Sequence, residues 1–520
     1  MSRSRPAAVM ILAAGAGTRM KSATPKVLHE IAGRSLVGHA LHAAAALEPQ
    51  RVVVVVRHER DRVASHIESI APHALLADQD EIPGTGRAVY CGLSTLDATA
   101  VAARVAGGEV GDTAVLDAQL DGAVVVTSGD VPLVDGDLLG ALVDAHHDSG
   151  AAVTLLTARV DDPTGYGRVV RDAGTDEVVE IVEEKDADAD ERAIDEINAG
   201  IYVFEASVLR DALSGLGRDN AQGEMYLTDV IAIARGDGGR VHPFVAPDAA
   251  ATEGVNDRVQ LAAAGRALNA RIVERWMREG VTVVDPATTW IDADVTLQAD
   301  AVILPGTQLH GATEVASGAT IGPDSTLTDV IVGAGATVQR THAARSEIGA
   351  GADVGPFAHL RPGTVVGEDG KVGEFVGVKN SVIGPGAKVP HLSYVGDAEI
   401  GEGTNVGAGT IFVNYDGVNK HRTTVGAHAR IGSDNTLIAP LTIGDGAYTG
   451  AGTTVRHDVP PGALAINSSP QQTVEGWVER RRPGTTSAAA AAQASQADDG
   501  AHGLSSTPPA HRADDSEGDA

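Results

Sequence analysis

Gly15 and Gly17 stand in the stretch LAAGAGTRM, residues 12–20, directly after the apolar run 8–12; Arg19 and then Lys26 follow. A glycine pair between a strand and a helix lets backbone N–H groups approach an anion, and the helix N-terminus favours negative charge there. Two cations beside such a nest suit charge neutralisation in phosphoryl-group chemistry. The loop is not of the Walker A type, since no Gly-Lys-Ser/Thr follows, and Met20 occupies the place of a third dinucleotide-binding glycine. A glycine pair alone also fits an ordinary tight turn. Asp130 follows a second strand-like run, 123–127; an acidic residue there is either a metal ligand or a turn cap. The chain has 18 histidines, the residue type best suited to act as a base near neutral pH.

The elements that must position these groups fall into two textures. In the first half, strand-like runs alternate with helical stretches. Residues 51–56 are an arginine and five valines, the pattern of a strand buried on both faces of a parallel sheet, and 123–127 and 151–156 repeat it. Residues 97–121 are rich in Ala, Gly and Asp and read as a surface excursion. Leu261, Leu268, Ile272 and Trp276 fall at near-helical spacing and predict a long helix leaving this domain. From about residue 290 an aliphatic residue recurs every six positions: Ile348, Val354, Leu360, Val366, Val372, Val378, and again Val425, Ile431, Leu437, Ile443, Thr449, Val455. Glycine usually follows it, and the register slips by one at Ile383 and Ile400. Six residues make a short strand and a turn, and three such units close a triangular coil, with glycine expected to permit the turn. The pattern predicts a parallel β-helix, broken by one loop, 409–424.

Composition bounds the rest. The 520 residues carry a net charge of −30, so a broad basic surface for nucleic acid is excluded and any anionic substrate needs a local cationic cluster. One cysteine, Cys91, permits no internal disulfide and reads as a buried thiol. No run of about 18 apolar residues exists, and the N-terminal apolar stretch runs into the glycine loop. These features predict a soluble, cytoplasmic protein without membrane partners. Residues 483–520 are rich in Ala, Ser, Pro and Asp and read as a disordered acidic tail.

The segment LAAGAGTRMKSATPKVLH resembles the signature of nucleotidyltransferases that join a nucleoside triphosphate to a sugar 1-phosphate, and the hexapeptide repeats resemble left-handed β-helix acyltransferases. Both in this order resemble the bifunctional N-acetylglucosamine-1-phosphate uridyltransferase / glucosamine-1-phosphate acetyltransferase family, over about residues 5–482. The resemblance implies an α/β nucleotidyltransferase domain with a Rossmann-like mixed sheet (1–255), a connecting helix (256–285), a left-handed β-helix (286–482) and the tail (483–520). In the first domain it implies that Arg19 and Lys26 act in catalysis and that SGDVPL and EGVND supply Asp130 and Asn256 to Mg²⁺. It places Leu12, Ala13, Ala14, Gly15, Lys26, Gln79, Gly84 and Thr85 against UTP. Gly167, Glu183 and Asn198, in PTGYGR, IVEEK and EINAG, fall against the sugar.

In the second half, FAHLRPGT, VGVKNS and VPHLSYVGD bring Arg361, Lys379, His391 and Tyr394. By resemblance His391 is the proton acceptor of acetyl transfer, and Arg361, Lys379, Tyr394 and Asn405 hold glucosamine phosphate. Ala408, Asn414, Tyr415, Ser433 and Ala451 fall on the acetyl-CoA side. Ser468 departs from the pattern, standing where many relatives have Arg. The implied chemistry is acetyl transfer from acetyl-CoA to glucosamine 1-phosphate, then in-line attack of the product's phosphate on UTP with release of pyrophosphate. A homotrimer formed through the β-helix, with the acetyl site between subunits, is implied as well. Two alternatives remain at this point: a single-function nucleotidyltransferase with a structural β-helix, and a non-catalytic regulatory subunit. The second would be expected to lose Lys26 or Asp130, and both are intact.

Overall fold

A computed structural model describes residues 5–106, 119–175, 177–467 and 470–502. The first domain is built on a mixed sheet whose strands run in the order Val241–Val245, Val153–Arg159, Glu196–Glu205, Ala123–Ser128, Ala8–Ala13, Arg51–Val56, Leu75–Asp78. All neighbours are parallel except Glu196–Glu205, which runs against both of its own. A hairpin, Arg168–Arg171 with Val178–Val182, hangs from Glu196–Glu205. The valine run is explained by the two faces. Val53 and Val55 pack with Met10, Val124 and Val126 on one side; Val54 and Val56 pack with Val9, Ile11 and Val125 on the other. Successive side chains of a strand point to opposite faces, so a strand covered on both needs an apolar residue at every position.

The helix predicted from the 261–276 spacing spans Arg258–Arg278, capped by the Asp257 carboxylate, which accepts from the N–H groups of Val259 and Gln260. Its apolar face, Ile272, Val273 and Trp276, closes the end of the next core.

That core belongs to a parallel β-helix. Short strands pair with the strand one coil on: Asp353 with Lys371, Lys371 with Lys388, Val366 with Ile383, Ile383 with Ile400. The aliphatic residue of each strand, Val354, Val372, Val389, Val406 and Ile431 among them, is buried in one continuous column. Thr449 replaces an aliphatic residue without loss of pairing, because its hydroxyl accepts from the Gly432 N–H at 2.9 Å. The slips at Ile383 and Ile400 are coils one residue shorter, and the loop 409–424 lengthens one coil so that Asn405 pairs with Arg430.

Four sequence expectations change. Many glycines after the aliphatic residue do not serve the turn: a Cβ on Gly401 would lie 2.5 Å from the Ala427 nitrogen of the next coil, so they permit close stacking. The corners with positive φ are shared between other glycines, Gly351, Gly386 and Gly403 among them, with Gly355 from the repeat itself, and non-glycine residues including Phe357, Phe375 and Leu392. Cys91 is half-buried rather than buried. Of the 97–121 excursion, the helix Thr85–Ala106 takes the first part; Ala100 and Leu120 join the core, and Arg210 grips Asp97 at 2.8 and 3.0 Å. Residues 107–118 lie outside the described residues. Finally, the tail contains a helix, Thr486–His502, in keeping with the high helix propensity of its alanines; residues 503–520 lie outside the described residues. Residues 466–520 form a unit of their own.

Gly401→Ala is expected to lower the thermal midpoint, because the backbone it meets belongs to a stacked coil and has no rotamer to escape into. Overpacking of this kind costs about 1–3 kcal/mol. Calorimetry of the variant checks it; an unchanged midpoint would mean the coils can spread.

Candidate active sites on the two domains

The glycine loop sits where the strand Ala8–Ala13 ends. It opens onto a cleft of 840 Å³ whose lining includes the expected Leu12, Ala13, Ala14, Gly15, Lys26, Gln79, Gly84, Thr85 and Asp130, together with residues that the sequence did not point to, Arg57, His58, Glu59 and Glu224 among them. The carboxyl end of a parallel strand is the expected place for a ligand in such a sheet. Gly17 has φ +60, and a Cβ there would lie 2.5 Å from the Lys26 Cβ. Glycine at 17 therefore lets the loop close over Lys26.

Lys26 Nζ contacts the Asp130 carboxylate and lies 3.4 Å from Asn256 Oδ1. Arg19 donates to the same Asn256 oxygen at 3.0 Å. Ser128 Oγ donates to Asp130 Oδ1 at 2.6 Å, and the Val255 N–H donates to the Asp130 carbonyl at 2.8 Å, which ties the two ligand segments together. The two proposed metal-ligand oxygens thus converge on one cationic point, held here by an ammonium. Hard oxygen donors, few from protein with phosphates to complete the shell, are what Mg²⁺ prefers. Among the described residues no group of three His, Cys, Asp or Glu gathers that could hold a metal, and Asp130 with Asn256 supplies one carboxylate and one amide oxygen only.

Gln79 donates its amide N–H groups to the carbonyls of Ile82 and Gly84 at 3.0 and 3.2 Å. A Cβ on Gly84, whose φ is +117, would lie 2.2 Å from the Met225 carbonyl oxygen. The 220s segment is thereby held against the cleft, and Thr85 Oγ1 accepts from the Leu227 N–H at 3.1 Å. Gly167, Glu183 and Asn198 gather beside each other rather than on the cleft lining itself. The Asn198 N–H donates to the Gly167 carbonyl at 2.9 Å, and a Cβ on Gly167 would meet Glu183 Oε1 at 3.6 Å. Burial pushes the Glu183 carboxyl up, opposed by the hydroxyl of Thr228 donating to it at 3.2 Å.

On the β-helix the predicted residues divide between two faces of the coil. On one face Lys379 lies 3.4 Å from Asp397, which also accepts from Asn380 at 2.6 Å and from Asn414. Burial alone would raise the Asp397 carboxyl; these amide donors, with Lys379 as a nearby cation, hold it below its ordinary range. Tyr394 O–H and Asn414 Nδ2 converge over Gly396, within 2.5 and 2.8 Å of where a Cβ would stand. The Lys379 ammonium pushes Lys420 down, and Arg361 adds to it. Three cations with a single carboxylate among them make an anion site. Asp397 and Lys420 were not found from the sequence: Asp397 lies a coil away from Lys379, and Lys420 sits in the loop whose departure from the repeat was the only signal. That loop is ordered by Asp416, pushed down to about 2 by the N–H groups of Asn419 and Val418 and the imidazole of His421. Tyr415 pairs with Lys420 across it.

On the other face stands His391, at the end of the strand Lys388–His391, with Asn405 on the adjacent strand. Ala408, Ser433 and Ala451 follow one corner up successive coils, where Gly407, Gly432 and Gly450 stack almost backbone to backbone. This is a track suited to an extended ligand.

A mixed sheet with a glycine loop at its cleft, followed by a left-handed parallel β-helix with a second polar cluster, is the architecture of a transferase of nucleotide-sugar chemistry. The model of the MobA-like NTP transferase domain matches residues 9–194. Over 483 residues, 93% of each chain, this chain is 58% identical to the bifunctional protein GlmU of Paenarthrobacter aurescens. It is 57% identical to that of Kineococcus radiotolerans over 94% of this chain and 95% of the relative, and 55% identical to that of Micrococcus luteus over 96% and 99%. The chain belongs to the family of bifunctional GlmU proteins.

Proposed function

We propose that this chain makes a nucleotide sugar in two steps at two separate sites. It acetylates glucosamine 1-phosphate with acetyl-CoA on the β-helix, then transfers uridylyl from UTP to N-acetylglucosamine 1-phosphate in the first domain. The observation that carries this reading is that the cationic cleft around Lys26 and the chemistry-bearing residues of the β-helix around His391 and Lys379 have no residue in common. A single-function nucleotidyltransferase would leave the second set unexplained.

In the first domain the attacking oxygen is already ionised as a phosphate, so no side-chain nucleophile is required. Arg19 and Lys26 position and neutralise the triphosphate, with the loop N–H groups around Gly15. Gln79, its amide nitrogen engaged by backbone carbonyls, keeps its carbonyl oxygen as an acceptor for an N–H of the base. Asp130 and Asn256 would hold Mg²⁺, which supplies charge stabilisation at the phosphates when bound. Gly167, Glu183 and Asn198 hold the sugar. Asp130 and Asn256 both precede the β-helix, so EDTA should stop pyrophosphate release and spare thiol release. Loss of both activities from a protein that stayed folded would remove this metal assignment.

In the β-helix, Arg361, Lys379 and Tyr394, together with Lys420, hold the sugar phosphate, and His391 takes the amine proton. Asn405 contacts the sugar, while Ala408, Asn414, Tyr415, Ser433 and Ala451 line the acetyl-CoA side. His391 and the cation cluster lie on different faces of the coil, which favours a site completed by a neighbouring chain. Support for a homotrimer comes from a ridge beside His391: Phe357 and Phe375 stack at 5.2 Å, and with Leu392 all three are more than half exposed. Among the described residues no helix is long and apolar enough to cross a membrane, and we place the protein in the cytoplasm. The division at 255, 285 and 482 is proposed with it.

A further inference from the structure

We propose that Glu374 is the positioning residue of acetyl transfer, fixing the tautomer and direction of His391. The proposal rests on the reading of His391 as the base. Its geometry is independent of that reading: His391 Nδ1 lies 3.0 Å from Glu374 Oε1. An ionised carboxylate accepts and does not donate. The proton of the neutral imidazole must then sit on Nδ1, which leaves Nε2 with its lone pair free and turned away from Glu374.

The pair is built into the sheet. Glu374 and His391 face each other as register partners of adjacent strands, Lys371–Glu374 and Lys388–His391. The strands approach so closely that a Cβ on Gly373 would lie 1.9 Å from the Pro390 carbonyl oxygen. Both side chains are about half exposed, 48% and 49%. A half-exposed hydrogen-bonded pair of this kind contributes little to stability, so the fold gives little reason for this one. Orientation of a base on a rigid strand is what it accomplishes.

In the reaction the sugar nitrogen forms a bond to the acetyl carbon and the C–S bond of the thioester breaks. The proton lost from nitrogen goes to His391 Nε2 and returns to the departing thiolate. Glu374 keeps Nδ1–H in place and stabilises the imidazolium in between, touching neither substrate.

The test uses the full-length enzyme. Glu374→Ala should lower kcat for thiol release roughly ten- to a hundredfold, part of the 10²–10⁴ that a positioned base provides, with KM for both substrates within twofold. Glu374→Gln, which keeps an acceptor oxygen, should recover most of that loss, and pyrophosphate release should not change in either variant. Neutron diffraction on the unaltered protein should show the His391 proton on Nδ1. A normal kcat in Glu374→Ala, a raised KM with unchanged kcat, or a proton on Nε2 would each overturn the proposal. The neutron result stands even if the alanine variant does not assemble. If His391→Ala is inactive while Glu374→Ala is normal, only the positioning role fails; if His391→Ala is itself active, the base assignment fails with it.

Discussion

His391→Ala should lose acetyl transfer by roughly 10²–10⁴-fold while pyrophosphate release keeps its normal rate. The amine of an amino sugar is largely protonated near neutrality, and only the neutral form attacks a thioester. A base placed at the nitrogen removes that handicap, and no other histidine lies on the strand Lys388–His391. The side chain is half exposed, so its truncation leaves no buried cavity and the β-helix should keep its stability. Thiol release measured against acetyl-CoA, with the thermal midpoint read in parallel, checks both halves of this expectation. A variant that kept acetylating at the normal rate would remove His391 from the chemistry.

The second large effect is expected from Asp130→Asn, which should slow uridylyl transfer by about 10²–10³-fold, the size of loss seen when one preorganised electrostatic partner of a transition state is removed. Asp130 is nearly buried beside Lys26, with side-chain exposures of 18% and 12%. The substitution keeps the shape and removes the charge, so it leaves the Lys26 ammonium without its counter-ion and weakens the grip on Mg²⁺ together. Acetyl transfer should be unaffected, because none of the residues proposed for it lies before Arg361. Pyrophosphate release at several Mg²⁺ concentrations reads the two contributions apart: added metal should recover part of the loss, and a rate independent of both metal and substitution would contradict the site.

Why these predictions could be drawn largely from the sequence is physical. The valine run of Arg51–Val56 and the hexad of aliphatic residues are legible because each position answers to one constraint: two buried faces in the first case, one inward side chain per strand in the second. The glycine loop and its cations are legible because Gly15, Gly17, Arg19 and Lys26 are close in sequence. Glu374, Asp397 and Lys420 are not, since their partners lie a coil or a loop away and only strand register brings them together. The role of the repeat glycines was misjudged for a related reason. A close approach between coils leaves no trace in local sequence, and the turns use glycines such as Gly386 and Gly403 side by side with residues as bulky as Phe357. The alanine-rich tail shows the reverse failure: little to bury, yet enough helix propensity to form Thr486–His502.

The central claim is that one chain carries two sites that work independently. The most direct measurement supplies His391→Ala with N-acetylglucosamine 1-phosphate, UTP and Mg²⁺, and follows pyrophosphate release. The account predicts the rate of the unaltered enzyme, with the nucleotide sugar formed in full, while the same variant given glucosamine 1-phosphate and acetyl-CoA releases almost no thiol. A depressed rate with the ready-made intermediate, in a variant whose circular dichroism and assembled mass are unchanged, would contradict it.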